Sequence, residues 1–252
     1  MNDPDKLAGK RIALLAADGF EQAELDAAAA ALRQCGAAVT LVALRRGRIR
    51  GMHVHQSGEL LRVDAAIDAV CCDDYDGLLI PGGYIGPDLL RQSAAARDFV
   101  RAFHAAGKPI AAMSHAALVL VSSGLAAGRL LTAWPGVRDD VVNAGATWLN
   151  QDTVRDGQLL TSRTPQDAGA FAREMVALFA GEPASAALPA LPAPRASDPP
   201  RQIPSEAPEQ PLRWLSAPSI GTMLSLALLG VGVVAANHRR RKEAGPSEGA
   251  GN

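Results

Sequence analysis

The chain has 252 residues, a formal net charge of -1, and a composition that is 48% hydrophobic, 20% charged and 4% aromatic. A net charge this small gives no global basic field, which excludes the general nucleic-acid partner that a basic protein attracts. Its three cysteines, Cys35, Cys71 and Cys72, are too few and too unevenly placed for a disulfide framework. We therefore expect all three to be buried, inert thiols in a reducing compartment. The length allows one globular domain with residues left over.

The first part of the chain alternates short apolar runs with a helical pattern. The predicted elements are a buried strand at 12–17, a helix that runs through Gln34 and stops at Gly36, and a strand at 39–44. The basic run 45–50 is short and is expected to be a solvated loop rather than a phosphate site. His53 and His55 have ligand-like spacing on a strand, but no third ligand stands beside them, so we predict no metal site.

The next part continues the alternation with short connections. A third buried strand begins at Gly77 and ends at Gly82 and Gly83, where backbone amides can approach a ligand without an intervening Cβ. Further predicted elements are an amphipathic helix at 88–106, a strand at 110–113, short strands near 153 and 159–161, and a closing helix at 165–179. This pattern predicts an α/β fold, a doubly wound parallel sheet with helices on both faces. Ligands of such sheets bind outside the carboxyl ends of the strands, where Glu24 and Ser114 also fall.

Ser114 stands at an abrupt change from strand to helix. A strand-to-helix elbow can hold a reactive side chain beside the helix amides, which stabilise developing negative charge. Serine is also a favoured helix N-cap. From these residues alone, Ser114 is either a helix cap or a catalytic side chain.

The C-terminal part differs in composition from the rest. Ten of the 17 prolines lie between Pro183 and Pro218, in sequence typical of an extended linker. The stretch from Ala217 to Ala236 contains no charge and is long enough for one transmembrane helix. The alternative is an apolar tail that lies on a partner. Basic residues after this stretch favour a cytoplasmic C-terminus, whereas the absence of an export signal favours a cytoplasmic domain, and we give the second more weight.

Five blocks of sequence resemble, in order and spacing, the PfpI-type intracellular protease and deglycase family of the DJ-one/PfpI superfamily. These blocks are ADGFEQAEL at 17–25, IPGG at 80–83, GKPIA at 107–111, DDVVNAGA at 139–146 and TSRTPQD at 161–167. The resemblance implies a flavodoxin-like fold related to class I glutamine amidotransferase domains. The resulting organisation is an N-terminal extension at 1–9, a PfpI-like domain at 10–181, a linker at 182–214, a transmembrane helix at 215–237 and a basic, then Gly-rich, tail at 238–252.

The resemblance also implies a set of site residues. The early glutamate of the family corresponds to Glu24, the histidine to His115, and the loop carboxylate, which a neighbouring subunit contributes, to Asp88. The glycine amides correspond to Gly82 and Gly83. The nucleophilic cysteine corresponds to Ser114, and the Gly-Pro that follows the histidine in the family is Ala116-Ala117 here. No metal or cofactor is implied.

The serine at position 114, in place of the family's nucleophilic cysteine, leads to two functional predictions. The first is a membrane-anchored pseudoenzyme with lost or much reduced cysteine-type catalysis and a binding or stress-related role. The alternative is an active deglycase, glyoxalase or peptidase-type hydrolase that uses Ser114 with His115 and Asp88. Either would bind a small carbonyl or peptide ligand and form a homo-oligomer. Glutamine amidotransfer is disfavoured because the chain lacks that class's nucleophile and its Pro-x-His-x-Glu motif.

Overall fold

The computed structural model of the chain describes residues 3–184. The strands are β1 (Arg11–Leu15), β2 (Phe20–Glu21), β3 (Ala38–Ala43), β4 (Arg48–His53), β5 (Gln56–Arg62), β6 (Ala65–Ala66), β7 (Gly77–Ile80), β8 (Ile110–Met113), β9 (Leu130–Leu131), β10 (Thr147–Trp148), β11 (Thr153–Asp156) and β12 (Leu159–Ser162). The α-helices are α1 (Gln22–Gln34), α2 (Gly86–Gln92), α3 (Ala94–Ala105), α4 (Ala117–Ser122), α5 (Arg138–Asn143) and α6 (Ala168–Phe179).

A seven-stranded sheet in the order β11-β12-β8-β7-β1-β3-β6 forms the centre of the domain. Its strands β3, β1, β7, β8 and β12 give the order 2-1-3-4-5 of flavodoxin-like folds. All neighbours pair in parallel except β11, which pairs antiparallel with β12. The prediction of a parallel sheet is therefore confirmed apart from this edge strand. Only two residues separate β11 from β12, and a connection this short can join only antiparallel strands.

Two apolar clusters cover the two faces of the sheet. Along β1, Ile12 and Leu14 belong to the cluster that includes residues of α1 and α6, whereas Ala13 and Leu15 belong to the cluster that includes residues of α3 and α4. Successive side chains of a strand point to opposite faces, so a strand that is apolar at every position needs cover on both. The predicted placement of helices on both faces is confirmed.

The amphipathic helix predicted at 88–106 is two helices in the structure. Ser93 has an extended backbone conformation between α2 and α3, and its Oγ accepts the N–H of Ala96. A serine that caps a new helix satisfies one of the N–H groups that lack an intrahelical partner. The apolar periodicity continues across this break, which is why the sequence predicts a single helix.

A second, three-stranded sheet lies beside the carboxyl edge of the main sheet, in the order β2-β4-β5. The backbone N–H of Arg50 donates to Asp18 Oδ1 at 3.0 Å, and the Arg50 carbonyl accepts the N–H of Gly19 at 2.7 Å. These bonds fix the backbone of Arg50, and β4 includes Arg48 to Arg50. The prediction of a loop over the whole of 45–50 is therefore wrong. The hairpin formed by β4 and β5 brings a segment that is distant in sequence next to the start of α1.

The first described residues pack onto the domain. Leu7 is fully buried in the cluster with α1 and α6, and the Lys6 ammonium pairs with Glu182 at 2.9 Å. No helix within residues 3–184 is long and apolar enough to cross a bilayer. The transmembrane helix predicted at 215–237, with the linker before it and the tail after it, lies outside the described residues.

Candidate active site

Ser114 follows β8 in a backbone conformation that L-residues rarely adopt. Its φ is +53°, and among residues 3–184 only Val54 is another non-glycine residue with positive φ. The left-handed conformation costs roughly 1–2 kcal/mol and tends to persist at functional sites. Ser114 is buried and begins a 3₁₀ turn that leads into α4, yet its side chain forms no capping hydrogen bond. The interpretation of Ser114 as a simple helix cap is therefore wrong.

Gly82 allows the Glu24 carboxyl group to lie close to this serine. Its N–H donates to Glu24 Oε2 at 2.8 Å. A Cβ on Gly82 would lie 2.5 Å from the same carboxylate oxygen and 2.9 Å from Ser114 Cβ, so any other residue here would force them apart. The Gly82 N–H, which the sequence predicts to face a ligand, is thus bonded to a protein carboxyl group. At Gly83, where φ is +104°, a Cβ would lie 2.5 Å from the Gly19 carbonyl oxygen.

Glu24 is the buried acid of the site, with 1% of its surface exposed. Burial raises its pKa from 4.5 to about 8; the Gly82 N–H opposes this rise, and the nearby charge of Glu21 adds to it. Its second oxygen, Oε1, has no hydrogen-bond partner in the described part of the chain. At neutral pH the carboxyl group is therefore mostly protonated, with a hydroxyl group available as a donor.

His115 contacts two aromatic rings. The ring of Tyr84 meets it edge-on at 4.7 Å between centroids, and the ring of Trp134 stacks on it at 5.5 Å. Its Nδ1 lies 3.3 Å from Ser114 Oγ. Burial lowers its pKa from 6.5 to about 4, so the ring is neutral at pH 7. A neutral imidazole nitrogen at this distance can accept the serine proton, but a pKa this low makes it a weak base.

The Asp88 carboxylate is engaged on its own helix. Its Oδ1 accepts the Nε–H of Arg91 at 2.7 Å, and its Oδ2 accepts from the Gln92 side-chain amide at 2.9 Å. Within one chain the structure therefore brings Ser114 and His115 together without Asp88. The contact expected between Asp88 and a neighbouring subunit stays a prediction.

A small cleft of about 60 Å³ opens over these groups. The residues that line it are Glu21, Glu24, Val54, Gly83, Tyr84, Ser114, His115, Trp134 and Pro165. No role is predicted from the sequence for Glu21, Val54, Tyr84, Trp134 or Pro165. Glu21, Tyr84 and Pro165 lie in or next to the five sequence blocks, which was the available signal, whereas Val54 and Trp134 lie outside them.

The cysteines and the two spaced histidines lie elsewhere. None of the three thiols lines the cleft; Cys35 is buried, but Cys71 is exposed and Cys72 partly so, which corrects the expectation that all three are buried. His53 ends β4 and His55 lies in the turn that follows, not on a strand. In residues 3–184, no three His, Cys, Asp or Glu side chains are arranged to hold a metal ion.

A sequence model of the DJ-1/PfpI family matches residues 10–178, about two thirds of the chain. The chain belongs to the DJ-1/PfpI family. The match includes every residue that lines the cleft, from Glu21 to Pro165. The family resemblance read from the five sequence blocks is therefore confirmed.

Other members of the DJ-1/PfpI family are similar over nearly their whole length. Deglycase PfpI of Pyrococcus furiosus is 36% identical over 169 residues, which are 67% of this chain and 99% of that protein. Protein/nucleic acid deglycase 2 of Escherichia coli is 39% identical over 172 residues, 68% of this chain and 98% of that one. The crystal structure of Drosophila melanogaster DJ-1beta is 30% identical, with a TM-score of 0.63 over 69% of this chain and 91% of that one.

Proposed function

We propose that the domain is a deglycase-like pocket for a small carbonyl compound or peptide, in which Ser114 occupies the position of the family's nucleophilic cysteine. In this proposal, cysteine-type turnover is lost or much reduced, and binding is the main role that remains. The proposal is supported above all by the state of His115, because a histidine with a pKa of about 4 is poorly matched to remove a proton at neutral pH.

The difference between a thiol and a hydroxyl group gives this observation its weight. A cysteine in an electropositive elbow can ionise by itself, since its unperturbed pKa is about 8.5. A serine hydroxyl group stays protonated and needs a positioned base, which must in turn be oriented by a third group. Within the chain, His115 contacts aromatic rings, and Asp88 is bonded to Arg91 and Gln92.

The alternative is an active serine hydrolase, and one contact favours it. The 3.3 Å between Ser114 Oγ and His115 Nδ1 is slightly longer than a normal catalytic hydrogen bond, as is common before a ligand binds. If Asp88 of a second copy reached His115 in a homo-oligomer, its charge would raise the histidine pKa toward the working range.

Turnover of methylglyoxal and of its amine adducts separates the two functions. The test compares the native chain with Ser114→Cys and Ser114→Ala. Ser123→Cys serves as a matched control, because Ser123 is equally buried and lies one helix away. We expect a silent native chain, activity in Ser114→Cys, and none in either Ser114→Ala or the control. Native turnover that disappears in Ser114→Ala would establish the serine hydrolase instead.

We also propose that the segment 217–236 anchors the domain to a membrane with the domain on the cytoplasmic side. The support for the anchor is the length of this segment without charge. The basic residues that follow it favour a cytoplasmic C-terminus, which is the opposite orientation, so the orientation is tested separately. The full chain should stay with membranes after an alkaline carbonate wash, whereas a chain ending at residue 214 should be released. Protease added outside intact cells should leave the domain uncut; digestion there would reverse the proposed orientation.

A further inference from the structure

Val54 has a strained backbone at the mouth of the cleft. It lies at the tip of the hairpin between β4 and β5, with φ at +57° and 48% of its surface exposed. A β-branched residue in this region is an outlier, because its Cβ substituents crowd the backbone. Because the Val54 side chain is largely exposed, it contributes little hydrophobic stabilisation to offset this cost. The two-residue turn between His53 and Gln56 imposes the conformation, because such hairpin turns require positive φ at their first residue.

A buried carboxylate holds the tip in place. The Val54 N–H donates to Glu21 Oε2 at 2.9 Å, and Glu21 itself is only 7% exposed. A charged acceptor makes this a strong bond, and without it the carboxylate would lose a partner in a poorly solvated position. Glu21 therefore positions the Val54 backbone.

The base of the hairpin is fixed as well. Strand β2 pairs in parallel with β4 at Gly51 and Met52. On the other strand, Gln22 Oε1 accepts the N–H of Glu59 at 2.7 Å. Strand β2 and the first residue of α1 thus hold both strands and the tip, so the tip has little freedom to swing away from the cleft.

We propose that Val54 is a specificity-determining residue, and that its isopropyl group is the wall that limits the width of any group reaching position 114. Both residues line the same cleft, whose 60 Å³ is room for a small group only. Glu21 is a positioning residue that acts through Val54. The proposal rests on the proposed function only in taking position 114 as the point at which a ligand reacts.

The test uses Ser114→Cys as a reporter of access and needs no turnover. The full chain carrying this change is treated with iodoacetamide or with a bulky aromatic maleimide. Labelling of the peptide that contains position 114 is followed by mass spectrometry, which separates it from the native cysteines. The measured quantity is the ratio of the bulky to the small labelling rate. In the chain that carries Ser114→Cys alone, the parent of the variants below, this ratio should be well below the ratio measured for the same two reagents with a small thiol free in solution.

Three further changes in this background identify what sets the ratio. Val54→Ala removes two methyl groups and should raise the ratio about tenfold, as expected for lost bulk in a pocket wall. Val54→Asn keeps a side chain of similar size in a residue that tolerates positive φ, and should leave the ratio within about twofold. Leu60→Ala truncates an equally exposed apolar residue of the same hairpin, 46% exposed and outside the cleft lining, and should also leave it unchanged.

Glu21 variants test the positioning role. Glu21→Gln keeps an oxygen that can accept the Val54 N–H and should keep the parent ratio. Glu21→Ala releases the tip and should raise the ratio. In the double variant with Val54→Ala, the two increases should combine to less than their product, because both act on one wall.

An unchanged ratio in Val54→Ala, an equal rise in Leu60→Ala, or no labelling at position 114 by either reagent in any variant would overturn the proposal. If labelling follows these expectations but Ser114→Cys turns over no carbonyl compound, the proposed function is contradicted and the role of Val54 is not.

Discussion

Replacing Glu24 by glutamine should make the domain more stable at alkaline pH. The folded carboxyl group has a pKa of about 8, against 4.5 as its ordinary value. Between these values the folded state holds a proton that the unfolded state has released, so the free energy of unfolding falls as pH rises. The decline begins near pH 4.5 and ends above pH 8, where both states are ionised.

The magnitude follows from the two pKa values. Each unit of pKa difference is worth about 1.4 kcal/mol. Over the interval from pH 6 to pH 8, partial ionisation of the folded state near its own pKa reduces the full slope, which leaves a loss of about 2 kcal/mol. Glutamine has the shape of the protonated acid and an oxygen for the Gly82 N–H, so Glu24→Gln should match the native chain only near pH 4, and its advantage should grow by about 2 kcal/mol between pH 6 and pH 8.

Urea unfolding of the full-length native and variant chains at a series of pH values measures this difference. All other ionisable groups are shared, so only the difference between the two curves is interpreted. Asp26→Asn is the matched control, since Asp26 is an exposed carboxylate of the same helix; its curve should run parallel to the native one. Parallel curves for the native chain and Glu24→Gln would refute the buried, protonated state of Glu24.

Three further outcomes follow from the site. Gly82→Ala places a Cβ 2.5 Å from a carboxylate oxygen of Glu24 and should lower the free energy of unfolding by about 1–3 kcal/mol, whereas Gly169→Ala, on an open helix surface, should not lower it; urea midpoints compare them. The ring resonances of His115 should hold their positions from pH 7 to about pH 5, because burial lowers its pKa to about 4; a midpoint near 6.5 in an NMR titration would contradict this. Arg163 pairs with two carboxylates and an amide near the cleft, so Arg163→Ala should cost about 2 kcal/mol by the same urea measurement, and a loss below a few tenths would show that these bonds contribute nothing.

The parts of the site that the sequence could predict depend on one rule. Parallel strands end at a shared edge, so Gly82 after β7 and Ser114 after β8 had to lie near each other, and the structure places Glu24 beside both. The bounds of the strand before Ser114 agree with the structure because four apolar residues stand between Pro109 and the elbow.

The rest of the site depends on contacts that no local pattern encodes. Tyr84 and Trp134 both contact the His115 ring from loops that are 50 residues apart in the chain, and only tertiary packing brings them there. The Val54 N–H is held by a carboxylate 33 residues earlier in the chain. Propensity argues against positive φ for valine, so local reasoning leads away from this position.

The ion pair between Lys6 and Glu182 has a practical consequence for handling the protein. Lys6 precedes β1 and so lies at the amino edge of the main sheet, and the pair places Glu182 at that same edge, whereas the cleft opens at the carboxyl edge. The described chain therefore starts and finishes on the far side of the domain from Ser114. A purification tag, a dye or a surface linkage joined near residue 3 or residue 184 should leave the entrance to the cleft unobstructed.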